Sequence, residues 1–150
     1  MLKVYCSFLF FFFSVFSFGQ KFSFVTYNTE EGLPQSQVTC INQDESGYLW
    51  VGTLGGLARF NGSEFKSYSS IDGLVNNRIT TLKHFDGAMW VGHDGGISKI
   101  VKEQIKSITF EGNDKSRNVS DIIKFKGQIY VCSNGGGLFI VKNNRRMRTT

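Results

Sequence analysis

The chain has 150 residues, the length of one ordinary domain, with 17 Lys and Arg against 12 Asp and Glu and a formal net charge of +5. That excess is not a basic surface: Lys3 sits in an N-terminal leader and Arg145, Arg146 and Arg148 at the other end, which leaves the body near +1. A nucleic-acid partner needs a clustered basic face or stripe and is excluded on this count, and three cysteines are too few for a disulfide framework.

Residues 4–18 are apolar apart from their serines, follow Lys3, and lead to Ser17 and Gly19 at the −3 and −1 positions of a cut before Gln20. A basic start, a short apolar core and a small-residue exit describe a secretory signal peptide over residues 1–19. The fifteen-residue run falls short of the roughly 20 needed to span a bilayer, so no membrane span is expected after cleavage. The product is exported, to the periplasm or cell envelope. Cys6 leaves with the leader, and Cys40 and Cys132 are expected to be reduced and buried in different units.

Residues 21–27 alternate as Lys-Phe-Ser-Phe-Val-Thr-Tyr and read as an isolated strand ahead of the first unit. Next come strands at 37–43, 48–53, 57–60 and 64–68, separated by Asp44-Glu45-Ser46-Gly47, Gly55-Gly56 and Asn61-Gly62. Asn61-Gly62 is a strong hairpin signal, because both central residues must accept positive φ.

The same order then recurs, and a fixed period is the strongest signal in the chain. Gly47, Trp50, Gly52, Gly55 and Gly56 are answered by Gly87, Trp90, Gly92, Gly95 and Gly96. A third set follows at Gly127, Tyr130, Gly135 and Gly136, with Trp50, Trp90 and Tyr130 each 40 residues apart. Gly32-Leu33 is likewise answered by Gly73-Leu74. The units run over about 32–68, 73–106 and 116–144, the last without a clear fourth strand. A basic tail occupies 145–150. Apolar residues stand on both faces of the inner strands, as in Leu49-Trp50-Val51, which suits sheets covered on both sides.

Four-stranded units repeating near forty residues predict an all-β fold, a partial β-propeller over residues 20–144. It comprises about three antiparallel blades plus an N-terminal strand of the kind that closes a ring. Trp50, Trp90 and Tyr130 are then packing residues. A closed ring needs about four to eight blades, so the chain reads as a truncated piece whose partners include further blades, in the same or another chain.

The Gly-Leu start, the Asp44-x-x-Gly47-x-Leu49-Trp50-Val51-Gly52-Thr53 core and the Gly56-Leu57-x-Arg59-Phe60-Asn61-Gly62 hairpin resemble the two-component regulator propeller repeat. The resemblance covers about residues 21–144. It departs from the pattern in the third unit, where Tyr130 replaces Trp, Cys132 replaces Gly and the aspartate turn is lost. It implies the exported, non-catalytic sensing region of a hybrid histidine kinase, without the kinase core. The expected function is an extracytoplasmic sensor or ligand-binding segment of a two-component system. An envelope-docking propeller and, last, a propeller hydrolase or lyase are the alternatives.

No catalytic set, cofactor or metal site is predicted. His84 and His93 are the only histidines, and a zinc site wants three or four close ligands. Asp44 and Asp86 both precede turn glycines, where Asp bonds its own backbone. In a meander, alternate connections emerge on one face, so the linkers between units and the turns between second and third strands share a rim. From the linkers this rim takes Gln35, Ser36, Asn76, Asn77 and Arg78. The turns add Thr53, His93, Asp94, Ser133 and Asn134. Amides with one Arg and one Asp suit sugar hydroxyls or carboxylates, and the expected ligand is a glycan or another small extracellular molecule.

Overall fold

The structure, a computed structural model, describes residues 22–109, 118–142 and 145–148. The predicted leader lies outside these residues. Among the described residues, twelve strands form three four-stranded sheets, each an antiparallel meander in chain order. Blade one holds β1 (Val38–Gln43), β2 (Leu49–Thr53), β3 (Leu57–Phe60) and β4 (Phe65–Tyr68). Blade two holds β5 (Ile79–Phe85), β6 (Ala88–His93), β7 (Gly96–Val101) and β8 (Gln104–Thr109). Blade three holds β9 (Val119–Phe125), β10 (Gln128–Ser133), β11 (Gly137–Lys142) and β12 (Arg145–Arg148). One 3-10 turn, Ser70–Asp72, lies between the first two blades, capped by the Ser69 side chain and closed by Gly73 at φ 108°.

Strand parity sends alternate side chains to the two neighbours of a sheet. Trp50, Leu57 and Tyr68 leave blade one on the side where Leu82, Met89, Val91 and Ile100 of blade two meet them in one buried cluster. The opposite side of blade two sends Trp90 and Ile97 against Val119, Ile122, Val131 and Phe139 of blade three. Trp50 and Trp90 are buried in these seams, as the packing reading expects. The repeated Gly-Leu start drives Leu33 and Leu74 into the core.

Each seam closes on a glycine. A Cβ added to Gly52 would lie 2.5 Å from Cys40 Sγ and 2.7 Å from Cγ2 of Ile79, the first residue of the next blade. At Gly92 the same atom would lie 2.6 Å from Thr81 Cγ2 and 2.8 Å from Cγ1 of Val119, which opens blade three. Carbon atoms in good contact sit about 3.5–4.0 Å apart, so only glycine admits the β-branched side chain of the following blade. The first strands carry a matching device: each has a register shift at the same place, between Val38 and Cys40, Ile79 and Thr81, and Val119 and Asp121. At the first of these bulges Thr39 Oγ1 lies 3.0 Å from Gly52 O and 2.9 Å from Ile79 O, and Asn42 Nδ2 donates to Leu82 O at 3.2 Å. Side chains of one blade thus satisfy main-chain acceptors of the next.

Several expectations are corrected. Residues 22–28 form no strand; Phe22, Phe24 and Val25 are exposed, while Tyr27 packs on Phe60 and Phe65. An alternating sequence becomes a strand only where another backbone pairs with it, and no described strand does. The tail is not wholly a tail: Arg145–Arg148 pairs with β11 as the fourth strand that the third unit was expected to lack. Asn61-Gly62 makes a hairpin without both residues at positive φ. Phe60 pairs with Phe65 across a four-residue loop in which only Gly62 has positive φ, and Asn61 Oδ1 accepts from the Ser63 and Glu64 amides. Cys40 and Cys132 are free, on β1 and β10, but only partly buried.

Candidate functional site

The loops sort into two rims, and their contacts stay within each set. On the upper rim, linkers bond the turns between second and third strands: Leu54 N to Gln37 O at 3.2 Å, and Asn134 N to Asn118 O at 2.9 Å. An isolated bridge joins Asp94 to Asn118. On the lower rim, the turn residues Asp86 and Glu103 reach charged strand residues of the adjacent blades. The upper rim is the one predicted to carry a ligand.

The structure divides the predicted residues there. Arg78, on the linker into blade two, pairs with Asp94 on the turn after β6, Nε to Oδ2 at 3.3 Å, and keeps about half its side chain exposed. Asn76 Oδ1 accepts from Arg78 N at 3.0 Å, and Asn77 Oδ1 accepts from Ser70 N at 2.7 Å. These two amides hold the linker in the shape that presents Arg78. Asn134 is exposed at the corresponding turn of blade three, and Gln35 and Ser36 are exposed on the first linker.

Thr53, His93 and Ser133 cannot meet a ligand at the rim. They occupy one repeat position at the end of the second strand, and all three are buried. Parity turns this last strand residue inward. Thr53 Oγ1 donates to Gly56 O at 2.8 Å and accepts from Gly55 N at 3.1 Å, closing the Gly-Gly turn. His93 lies in the seam between blades one and two, its Nε2 2.9 Å from Ser98 Oγ. Ser98 continues to Ser107 Oγ at 2.9 Å, which donates to Gly73 O at 2.6 Å. Burial disfavours the imidazolium and pushes the His93 pKa down to about 4; hydrogen bonding to the Asn76 backbone opposes this only in part. This relay holds the linker to the sheet from beneath and was missed in the sequence, where Ser98 and Ser107 look like ordinary strand polars.

The lower rim was also missed. A cleft of about 290 Å³ opens between blades one and two, lined by Asp44, Tyr48, Arg59, His84, Lys102 and Glu103 among others. Asp44 is the turn device expected: Oδ1 accepts from Ser46 N and Tyr48 N, and Oδ2 from Trp50 Nε1 at 2.7 Å. Asp86 is not. It stands at φ 51° in a two-residue turn with Gly87, and its carboxylate takes Lys124 Nζ of blade three at 2.6 Å. Glu103, at φ 69°, reaches back from blade two to Arg59 at 2.8 Å and Lys66 at 2.7 Å. Those hydrogen bonds, Lys66 first, hold its carboxyl below the usual range. Arg59 stacks over Tyr48, 4.5 Å from the ring centroid. Through Glu103, Arg59 and Lys66 this cleft is a clamp between blades one and two.

Comparison with known proteins points to the same architecture. Residues 32–55, from the first linker through β2, match the family described as two component regulator propeller. A fifty-residue stretch is 46% identical to histidine kinase P4 of Formosa agariphila, covering 33% of this chain and 4% of that protein. Two solved structures from B. thetaiotaomicron share the fold. One, described as the extracellular domain of a hybrid two component system, superposes with a TM-score of 0.70 at 19% identity over 84% of this chain. The other, described as the extracellular domain of a one component system, gives 0.75 at 24% over 91%. In both cases the chain spans 20% of the solved length.

Proposed function

We propose that this chain, which carries repeats of the two component regulator propeller family, is a segment of an exported, non-catalytic sensor propeller that binds a small ligand at its upper rim. One observation carries the reading: on the upper rim each linker meets the turn of its own blade, the Asp94–Asn118 bridge passes from blade two to blade three, and a half-exposed Arg78 is held in place by Asp94 and Asn76. Such an edge gives a guanidinium fork and neighbouring amides, the donors and acceptors that fit a carboxylate or sugar hydroxyls. The leader at residues 1–19 and the extracellular setting of the structures that share the fold support export. Among the described residues no helix is long and apolar enough to cross a membrane.

The test is titration of the exported chain with neutral and uronate-containing oligosaccharides by calorimetry. Arg78→Ala is expected to weaken uronate binding at least tenfold, while Glu64→Gln on the lower rim leaves it unchanged. Failure of every oligosaccharide to bind, or binding indifferent to Arg78, would overturn the rim as a ligand site. A second reading, docking of protein rather than glycan, is favoured by the apolar side chains on the two outer sheet faces: Val38 and Ile41 on blade one, Ile123, Phe125 and Leu138 on blade three.

A further inference from the structure

The outer face of blade three is built like the faces that the chain covers internally, with one difference. Val131 and Phe139 are buried toward blade two. Alternation along β10 and β11 therefore sends Tyr130, Cys132, Leu138 and Ile140 to the other side, and β9 adds Ile123 and Phe125 through their pairing with Tyr130 and Gln128. Ile123 is 46%, Phe125 54% and Leu138 42% exposed. Twice in this chain an equivalent face is covered, each time by the first strand of the next blade, and each time a β-branched residue seats on a glycine: Ile79 on Gly52, Val119 on Gly92. The kind of occupant is thus set by the interfaces beside it. At the glycine position of blade three stands Cys132.

We propose that the outer face of blade three accepts only a propeller blade whose inserting residue is no larger than alanine, and that Cys132 sets that limit. A bare Cβ at Gly52 or Gly92 would already approach the inserting side chain to 2.7 or 2.8 Å. Cysteine adds a sulfur beyond that atom, so Ile or Val cannot enter at the same blade separation. A partner with alanine there loses the methyl that approaches closest and keeps only its Cβ, which at Gly52 lies 3.1 Å from the added atom. The rule also bears on a second copy of this chain. Val38 pairs with Thr53 as Ile79 pairs with His93 and Val119 with Ser133, which makes Val38 the inserting residue of blade one. It is β-branched and 49% exposed. The two open faces of the chain therefore do not fit each other, and head-to-tail addition of copies is blocked at this seat.

The experiment follows thiol alkylation of the full chain by mass spectrometry over a hundredfold range of concentration, with sedimentation velocity alongside. In the native chain the Cys132 rate is expected to be independent of concentration. In Val38→Ala it should slow at least tenfold at the highest concentration as the face becomes covered, while Cys40, inside the first seam, keeps one slow rate throughout. Cys132→Gly restores the repeat residue without touching β1 and should associate in sedimentation with Val38 still present. Association of either folded variant against a silent native chain supports the proposal. Protection of Cys132 in the native chain equal to that in Val38→Ala, or two folded variants that both stay unassociated, overturns it.

Discussion

At the level of single residues, the seam glycines and the seam histidine are the positions with least tolerance. Gly92→Ala places a methyl group against Thr81 and Val119. Overpacking of this kind costs about 1–3 kcal/mol, and urea denaturation should report a lower midpoint with an unchanged slope. His93 makes stability depend on pH in a definite direction. Its folded pKa of about 4 lies below the unfolded value near 6.5. The unfolded chain therefore takes up a proton first as pH falls, and stability is lost progressively between about 6.5 and 4. The loss amounts to roughly 3 kcal/mol for this group. Thermal melts across that window should show the decline, and His93→Gln should flatten it; an equal decline in both proteins would place the titration elsewhere.

Turns and strands show what was legible and why. Spacing alone located the three blades, because a Trp or Tyr and a glycine pair every forty residues mark the second strand and its turn. Where the determinant is pairing rather than pattern, sequence misled. Residues 22–27 alternate well yet pair with nothing described, whereas Arg-Arg-Met-Arg lacks alternation and pairs with β11. Ladder bonds belong to the backbone, which every residue carries. Asn61 shows the same limit: the dipeptide announces a turn, but its side chain caps a longer loop instead of entering positive φ. Asn61→Ala should therefore weaken the β3–β4 hairpin by about 1 kcal/mol, seen as faster amide exchange in β4 with little change in β2. For the rim, parity put Arg78 and Asp94 on one edge, where the structure pairs them, but could not tell a turn residue from the inward-facing last residue of a strand. That distinction removed Thr53, His93 and Ser133.

For the whole molecule, blade two is the one sheet with a described neighbour on each side. In a stacked array stability is close to a sum of unit and nearest-neighbour terms. Exchange protection is therefore expected to be greatest in β6 and β7 and to fall toward β12. Charged clamps on the lower rim cross both seams: Glu103 to Arg59 and Lys66, Lys124 to Asp86. Exposed pairs are weak and screened by salt, so raising ionic strength should loosen the lower rim before it lowers the melting temperature. Uniform protection across the three blades would argue against this graded picture.

The bulged first strand and the glycine of the second belong to the same forty residues, so every unit carries its own plug and its own socket. An internal duplication or loss of a unit that keeps its glycine then leaves the junction chemically unaltered, and a chain can lengthen or shorten by such blades without any compensating change. A socket narrowed by a larger side chain, as in blade three, converts an interchangeable joint into a keyed one and gives that position in the series a fixed successor.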